Sequence, residues 1–325
     1  MVNAQPKVIV TRRLPEAVEA RLRDRFTVEL SARDEPTDAD ILQRALGQAD
    51  GVLATVTDKF TAEVLAAYPI KTRIIANFGV GYDNIDIGAA QAHEITVTNT
   101  PDVLTDCTAD LAMGLIIATM RRMGEGEREL RSGHWTGWRP THLMGTHVTG
   151  KVLGLVGMGR IARAVAHRAH HGFGMRILCF DPAPPSPVEL AALGAEPRAT
   201  LEALLAESDV VSLHCPSTPA TRGLINAARL QQMKPGAFLI NTARGDVVVD
   251  DDVIAALTSR KLAGAGLDVF RGEPNLDARY RTLENVVLLP HLGSAARETR
   301  EAMGFRAIDN LTAFFEGRTV PDRIV

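Results

Sequence analysis

Three side chains with complementary chemistry each follow an apolar run in the C-terminal half of the chain: Arg244 after A-F-L-I-N-T-A, Glu273 after G-L-D-V-F-R-G, and His291 after N-V-V-L-L-P. A guanidinium holds a carboxylate through two parallel donors and polarises a neighbouring carbonyl. An imidazole changes charge near neutral pH, and a carboxylate on its other nitrogen fixes the ring and favours the imidazolium. Together these groups suit hydride transfer to C2 of a 2-oxo acid. In such a reaction Arg244 orients the substrate and His291 gives the developing alkoxide its proton.

Hydride needs a donor, and the middle of the chain offers a place for one. V-L-G-L-V-G (152 to 157) continues as M-G-R-I-A (158 to 162), an apolar strand running into a glycine turn and then a helix. Gly157 permits the tight turn, Gly159 lets the backbone approach a pyrophosphate, and the first amides of the helix face that anion. Ala162 stands where the pattern has its third glycine and is small enough for close helix packing. R-I-L-C-F-D (176 to 181) then ends in Asp181, where a ribose-binding acid belongs, and Pro182-Ala183-Pro184 supplies no arginine for a 2′-phosphate. The expected cofactor is therefore NAD(H), preferred over NADP(H).

The elements that must position these groups alternate between strand and helix in two series. The first hundred residues hold strand candidates from Lys7, Thr27, Gly51, Arg73 and Ile95, with helices beginning near Pro15, Thr37, Thr61 and Ile85. A single long helix is expected from about Leu104 to Arg131, then a loop from Ser132 to Gly150. The second series has six strand candidates, from Val152, Arg176, Asp209, Ala237, Gly264 and Asn285, with helices near Arg160, Leu201, Ala227 and Val253. A terminal helix is expected over Ala295 to Glu316. This alternation predicts α/β architecture with parallel sheets, the second a Rossmann-type doubly wound sheet whose ligand crevice lies outside the carboxyl ends of its strands.

At 325 residues the chain is long enough for two cores. A net charge of −3 without a basic block argues against nucleic-acid and membrane-surface partners. Cys107, Cys179 and Cys215 lack metal or redox spacing and read as reduced core cysteines. The longest apolar run, Leu111 to Met120, is too short to span a bilayer, and no leader-like stretch precedes Lys7, so a cytoplasmic location is expected. His167, His170 and His171 read as a solvated helix face, and no metal site is expected.

G-M-G-R-I-A, Asp181, N-T-A-R-G (241 to 245), G-L-D-V-F-R-G-E-P (266 to 274) and L-P-H-L-G-S (289 to 294) occur in the order found in the D-isomer-specific 2-hydroxyacid dehydrogenases, which the chain resembles. N-F-G-V-G-Y-D-N-I-D (77 to 86) and T-A-D-L-A-M-G-L (108 to 115) extend the resemblance over nearly the whole length. It implies Arg244, Glu273 and His291 as the catalytic set, with the Val80 and Gly81 backbone holding the substrate carboxylate. For the cofactor it implies Gly157, Met158, Gly159, Arg160, Ile161 and Asp181, joined by Thr108, Cys215, Pro216, Thr242, Ala243, Asp268, His291 and Gly293. A discontinuous, flavodoxin-like substrate domain (1 to 100 and 292 to 325) and a nucleotide domain (101 to 291) are implied, with a cleft and hinges near 100 and 291.

The segment W-T-G-W-R-P-T-H-L-M-G (135 to 145) is similar to a loop of the glyoxylate and hydroxypyruvate reductase branch. There the second tryptophan, here Trp138, reaches the neighbouring subunit's site, which implies a homodimer through residues of about 104 to 146; Trp135 reads equally as loop packing. Other D-2-hydroxy acids, such as D-3-phosphoglycerate and D-lactate, are alternative substrates, with formate and phosphite behind them. A non-catalytic NAD-sensing protein like the corepressors of this fold is the reading from another class.

Overall fold

The structure, a computed structural model, describes residues 5 to 66 and 69 to 325. The chain divides into two compact units, Met1–Leu104 with Ala295–Val325, and Thr105–Ser294.

The first unit is built on five parallel strands, β1 (Lys7–Val10), β2 (Thr27–Leu30), β3 (Gly51–Thr55), β4 (Ile74–Phe78) and β5 (Thr96–Thr98), in the order β2-β1-β3-β4-β5. This is the flavodoxin-like order. β4 is buried throughout and β3 at all but its last residue, which is why G-V-L-A-T and I-I-A-N-F lack polar alternation, whereas edge strand β2 alternates as T-V-E-L. Helices Glu16–Arg25, Ala39–Gln48, Ala62–Leu65 and Ile87–Ala92 connect the strands. Two of them start on side-chain caps, Thr61 accepting from the Val64 amide and Asp86 from the Ala89 amide. The C-terminal helix Arg297–Phe315 completes this unit. A Cβ added to Gly304 would stand 2.4 Å from Val18 Cγ2, and one on Gly51 3.1 Å from the Phe315 ring, so both glycines are contact points for this helix.

The second unit holds seven parallel strands, β6 (Val152–Val156), β7 (Arg176–Phe180), β8 (Ala195–Pro197), β9 (Val210–Leu213), β10 (Ala237–Asn241), β11 (Leu262–Leu267) and β12 (Val286–Leu288). Their order is β12-β11-β10-β9-β6-β7-β8, so the winding reverses between β6 and β9, as in a Rossmann sheet. One hydrophobic cluster, with Val211, Leu213, Leu239 and Tyr280, packs on one face, and another, with Leu155, Ala162, Ile177 and Ile116, on the other.

Two expectations need correction. The long helix is two, Thr105–Met120 and Met123–Arg131, broken where Arg122 adopts a left-handed backbone (φ 54°) and pairs with Glu125. The sheet also contains β8, a short A-E-P strand after the helix Pro187–Ala192, which a Ser186–Glu189 capping box starts. Among the described residues no helix is long and apolar enough to cross a membrane.

Candidate active site

The glycine turn sits at the switch point. Gly157 has φ 91°, and a Cβ there would lie 2.9 Å from both the Cys215 nitrogen and the His214 carbonyl carbon, so any side chain would be strained and would force β6 and β9 apart. Beyond it, Gly159 is the N-cap of the helix Arg160–Phe173; no side chain caps that helix, and nothing lies within 4 Å of where a Cβ would stand. Open approach to unsatisfied helix amides is what a pyrophosphate needs. Met158 and Ala162 are buried, Ile161 half-buried and Arg160 exposed. Asp181 accepts from the Met158 amide at 2.7 Å and the Ala183 amide at 2.8 Å, which fixes its carboxylate at the end of β7 beside the turn. The Arg198 guanidinium, after β8, is taken up by Glu207 and Glu196.

At the ends of the next strands the structure brings together the acid–base pair. His291 Nδ1 lies 2.8 Å from Glu273 Oε2, and Glu273 Oε1 accepts from the Phe270 amide at 2.8 Å. An ionised carboxylate only accepts, so Nδ1 carries a proton and Nε2 is left for other chemistry. Burial alone pushes the Glu273 carboxyl up. The hydrogen bond and charge of His291, the Phe270 amide and the Arg244 charge outweigh it and take the group below its ordinary range. Arg244 follows β10 in a turn held by Asn241, whose Nδ2 donates to the Arg244 carbonyl at 2.8 Å and whose Oδ1 accepts from the Ala243 amide. Gly245 lets this turn meet the next one: a Cβ there would stand 1.9 Å from the Phe270 carbonyl carbon.

His291 itself has a left-handed backbone, φ 56°. Asp268 holds that turn, its backbone carbonyl accepting from the His291 amide at 2.9 Å and its carboxylate from the Leu292 and Gly293 amides at 2.6 and 2.8 Å. Burial pushes the Asp268 carboxyl above its ordinary range against the pull of those amides and of His291. Thr108 Oγ1 donates to the Gly293 carbonyl at 2.9 Å. Thus Asp268, Thr108 and Gly293 form a clasp around the residue that follows β12.

The remaining positions spread along the same strand ends. Thr242 is buried and its Oγ1 has no hydrogen-bond partner, which leaves it able to donate to a ligand. Ala243 is half-buried and Pro216 exposed, while burial pushes the Cys215 thiol up to about 11 and keeps it neutral. His214, just before it, is pushed down to about 4 by burial and pairs with Ser212 Oγ at 2.9 Å. Taken together, an uncapped glycine-led helix, an acid at the end of β7 and a partnerless hydroxyl fit a dinucleotide. Among the described residues no His, Cys, Asp and Glu cluster could hold a metal.

In the first unit, the loop after β4 has an unusual backbone. The carbonyls of Gly79, Val80 and Gly81 accept from the Thr100 amide (3.0 Å), Asn99 Nδ2 (2.9 Å) and Asn77 Nδ2 (2.8 Å). In a trans peptide the next N–H points opposite to its carbonyl. The Val80 and Gly81 amides therefore face away from the unit's interior, and neither has an acceptor among the described residues. Successive outward amides make an anion-binding concavity. The sequence flagged Val80 and Gly81 but not the asparagines behind them, whose short amide side chains inside an apolar motif were the available signal.

Trp138 is 83% exposed and Trp135 50% exposed, in the irregular segment between Arg131 and β6. Neither belongs to the described core.

The sequence profile of the D-isomer-specific 2-hydroxyacid dehydrogenase NAD-binding domain matches residues 113 to 293. A glyoxylate reductase from Pyrococcus horikoshii is 44% identical over 321 residues, 98% of this chain and 95% of its own. A glycerate dehydrogenase from Hyphomicrobium methylovorum is 40% identical over 314 residues, 97% of each. Among solved structures, an NADPH-dependent glyoxylate/hydroxypyruvate reductase from Sinorhizobium meliloti, in complex with NADP and malonate, superposes with a TM-score of 0.88 at 34% identity, covering 99% of this chain and 97% of its own. With its glycine turn, its Glu273–His291 pair and relatives matched from end to end, the chain belongs to the D-isomer-specific 2-hydroxyacid dehydrogenase family.

Proposed function

We propose that the protein reduces a small 2-oxo acid, glyoxylate or hydroxypyruvate, to the D-2-hydroxy acid with NADH. The observation that carries this reading is the 2.8 Å His291–Glu273 pair with the Arg244 charge acting on it. Relatives named for glyoxylate reduction and glycerate dehydrogenation support the substrate class, since glycerate is the hydroxy acid made from hydroxypyruvate. Bound NADH supplies the hydride. Gly157, Met158, Gly159, Arg160 and Ile161 would hold its pyrophosphate and Asp181 its adenine ribose; Thr108, Cys215, Pro216, Thr242, Ala243, Asp268 and Gly293 are its other proposed neighbours.

The protein's own part in the reaction is orientation and one proton. Val80 and Gly81 hold the substrate carboxylate by their amides, and Arg244 polarises the adjacent carbonyl. His291, its Nδ1 proton pinned by Glu273, delivers the Nε2 proton to the oxygen as negative charge develops there, and retrieves it in the reverse direction.

The preference for NAD(H) rests on electrostatics. A 2′-phosphate would meet the fixed Asp181 carboxylate, and no arginine follows it in Pro182-Ala183-Pro184. The Sinorhizobium relative is named NADPH-dependent, so this preference is a property of this chain's residues and not of the family.

We further propose a homodimer formed through residues of about 104 to 146, in which Trp138 serves the neighbouring copy's site. The run of exposed apolar side chains Met123, Leu130, Trp135, Trp138 and Met144 supports it, being more than a monomer usually leaves uncovered in one segment. The test is the rate of NADH and NADPH oxidation with glyoxylate, hydroxypyruvate, pyruvate and phosphohydroxypyruvate. Turnover is expected with the first two and NADH. Equal efficiency with NADPH would contradict the role of Asp181, and cofactor binding without turnover of any oxo acid would contradict the reaction.

A further inference from the structure

The backbone grip at Val80 and Gly81 is only as good as whatever stops its peptides from rotating. A glycine-flanked loop has little stiffness of its own. In this chain each of its three carbonyls is tied down separately, two of them by buried side-chain amides. Asn77 is fully buried, and while its Nδ2 donates to the Gly81 carbonyl, its Oδ1 accepts from Asn84 Nδ2 at 3.3 Å. Asn84 Nδ2 also reaches the carbonyls of Thr55 and Asp58, at 3.1 and 3.0 Å, so the Asn77 amide cannot flip without losing bonds at both ends.

Asn99 is anchored from elsewhere. Its amide donates to the Asp322 carbonyl (3.3 Å), and its carbonyl accepts from Asn310 Nδ2 (3.3 Å). Asn310, fully buried in the C-terminal helix, donates from the same Nδ2 to the Asp322 carboxylate at 2.9 Å and accepts the Asp322 amide at 3.0 Å. Arg306 closes the knot with two bonds to that carboxylate, at 2.6 and 2.7 Å. A continuous set of hydrogen bonds thus runs from the last helix and C-terminal segment through Asn99 to the Val80 carbonyl. Buried hydrogen-bonded networks of this kind favour one conformation.

We propose that Asn99 is a positioning residue for the substrate carboxylate, with Asn77 bracing the end of the loop at the Gly81 carbonyl, and that the Arg306–Asp322–Asn310 knot exists to hold Asn99 in that role. The inference rests on the reading of Val80 and Gly81 as the carboxylate grip. Asn99 does not touch the substrate; it turns the Val80 carbonyl inward so that the Gly81 N–H is presented to an anion, while Asn77 holds the Gly81 carbonyl at the end of the same loop. With the Asn99 tie cut, the Val80–Gly81 peptide can rotate and offer the substrate carboxylate a carbonyl oxygen in place of a donor.

Asn99→Asp tests this with almost no change in shape, because it replaces the donor facing the Val80 carbonyl by an oxygen that repels it. The expected result is a rise of about tenfold in KM for glyoxylate, the size of one lost oriented hydrogen bond, with kcat changed far less and the Kd of NADH unchanged. Oxalate, a carboxylate that is not turned over, should lose affinity for the NADH complex by the same factor, read from NADH fluorescence. Asn310→Leu, which touches neither loop nor substrate, should move KM and oxalate binding in the same direction. Asn99→Ser, too short to reach the Val80 carbonyl, provides the measurement if the aspartate variant does not fold. Unchanged KM and oxalate affinity alongside a lowered Tm would overturn the proposal, as would an equal loss of NADH affinity. Oxalate binding needs no turnover, so failure of the wild type to reduce any oxo acid would count against the functional reading and leave this test standing.

Discussion

At the scale of single residues, the account turns on a carboxylate that burial pushes one way and its neighbours pull the other. Glu273 sits below its ordinary range because His291, the Phe270 amide and Arg244 outweigh its desolvation. A carboxyl depressed in the native state stabilises the fold fully above its unfolded value, about 4.3, and that contribution is lost as pH falls through the lower native value. The pair therefore stays intact across the neutral range. Glu273→Gln keeps the shape but removes the charged acceptor that pins the Nδ1 proton of His291. We expect kcat for reduction to fall by about a hundredfold with the Kd of NADH unchanged, checked by steady-state kinetics and NADH fluorescence. An unchanged kcat would mean that Glu273 only fills space. Arg244, Glu273 and His291 stood out as candidates in the sequence because each follows an apolar strand. The clasp function of Asp268 was not legible there, since the bond from its carboxylate to the Gly293 amide joins residues 25 apart in sequence.

Among the elements, glycines decide how closely two functional turns approach. Gly245 places the Arg244 turn against the Phe270 backbone at a distance no Cβ tolerates. Gly245→Ala must open that contact and shift Arg244 relative to Glu273; a displacement of about 1 Å costs on the order of a hundredfold in rate. The expected outcome is that loss in kcat/KM with NADH binding intact, and wild-type kinetics would show that the contact relaxes without moving Arg244. The strands were readable because parallel strands buried on both faces give unbroken apolar runs such as A-F-L-I-N. β8 escaped because A-E-P is three residues long and on an edge, and the break at Arg122 because a left-handed arginine leaves no mark in an otherwise helical pattern. Likewise the Asn310–Asp322 knot joins the C-terminal segment to a loop more than two hundred residues earlier, beyond the reach of any local pattern.

For the whole molecule, the exposed segment from Met123 to Met144 is the face that the proposed dimer would cover. Leu130→Glu, placed on a helix with no buried residues, should leave the fold intact and lower the mass measured by sedimentation from dimer to monomer. If Trp138 serves the other copy, Trp138→Ala in the dimer should raise KM for hydroxypyruvate and leave NADH affinity alone. A Leu130→Glu protein that remains dimeric, or unchanged Trp138→Ala kinetics, would remove that arm from the account.

The central claim is a reaction with a defined stereochemical result, and its most direct test is the reduction of hydroxypyruvate by NADH followed to the configuration of the glycerate formed. The account predicts steady NADH oxidation with D-glycerate as the product, abolished in His291→Asn. L-glycerate, or NADH that binds but is never oxidised by hydroxypyruvate or glyoxylate, would contradict it.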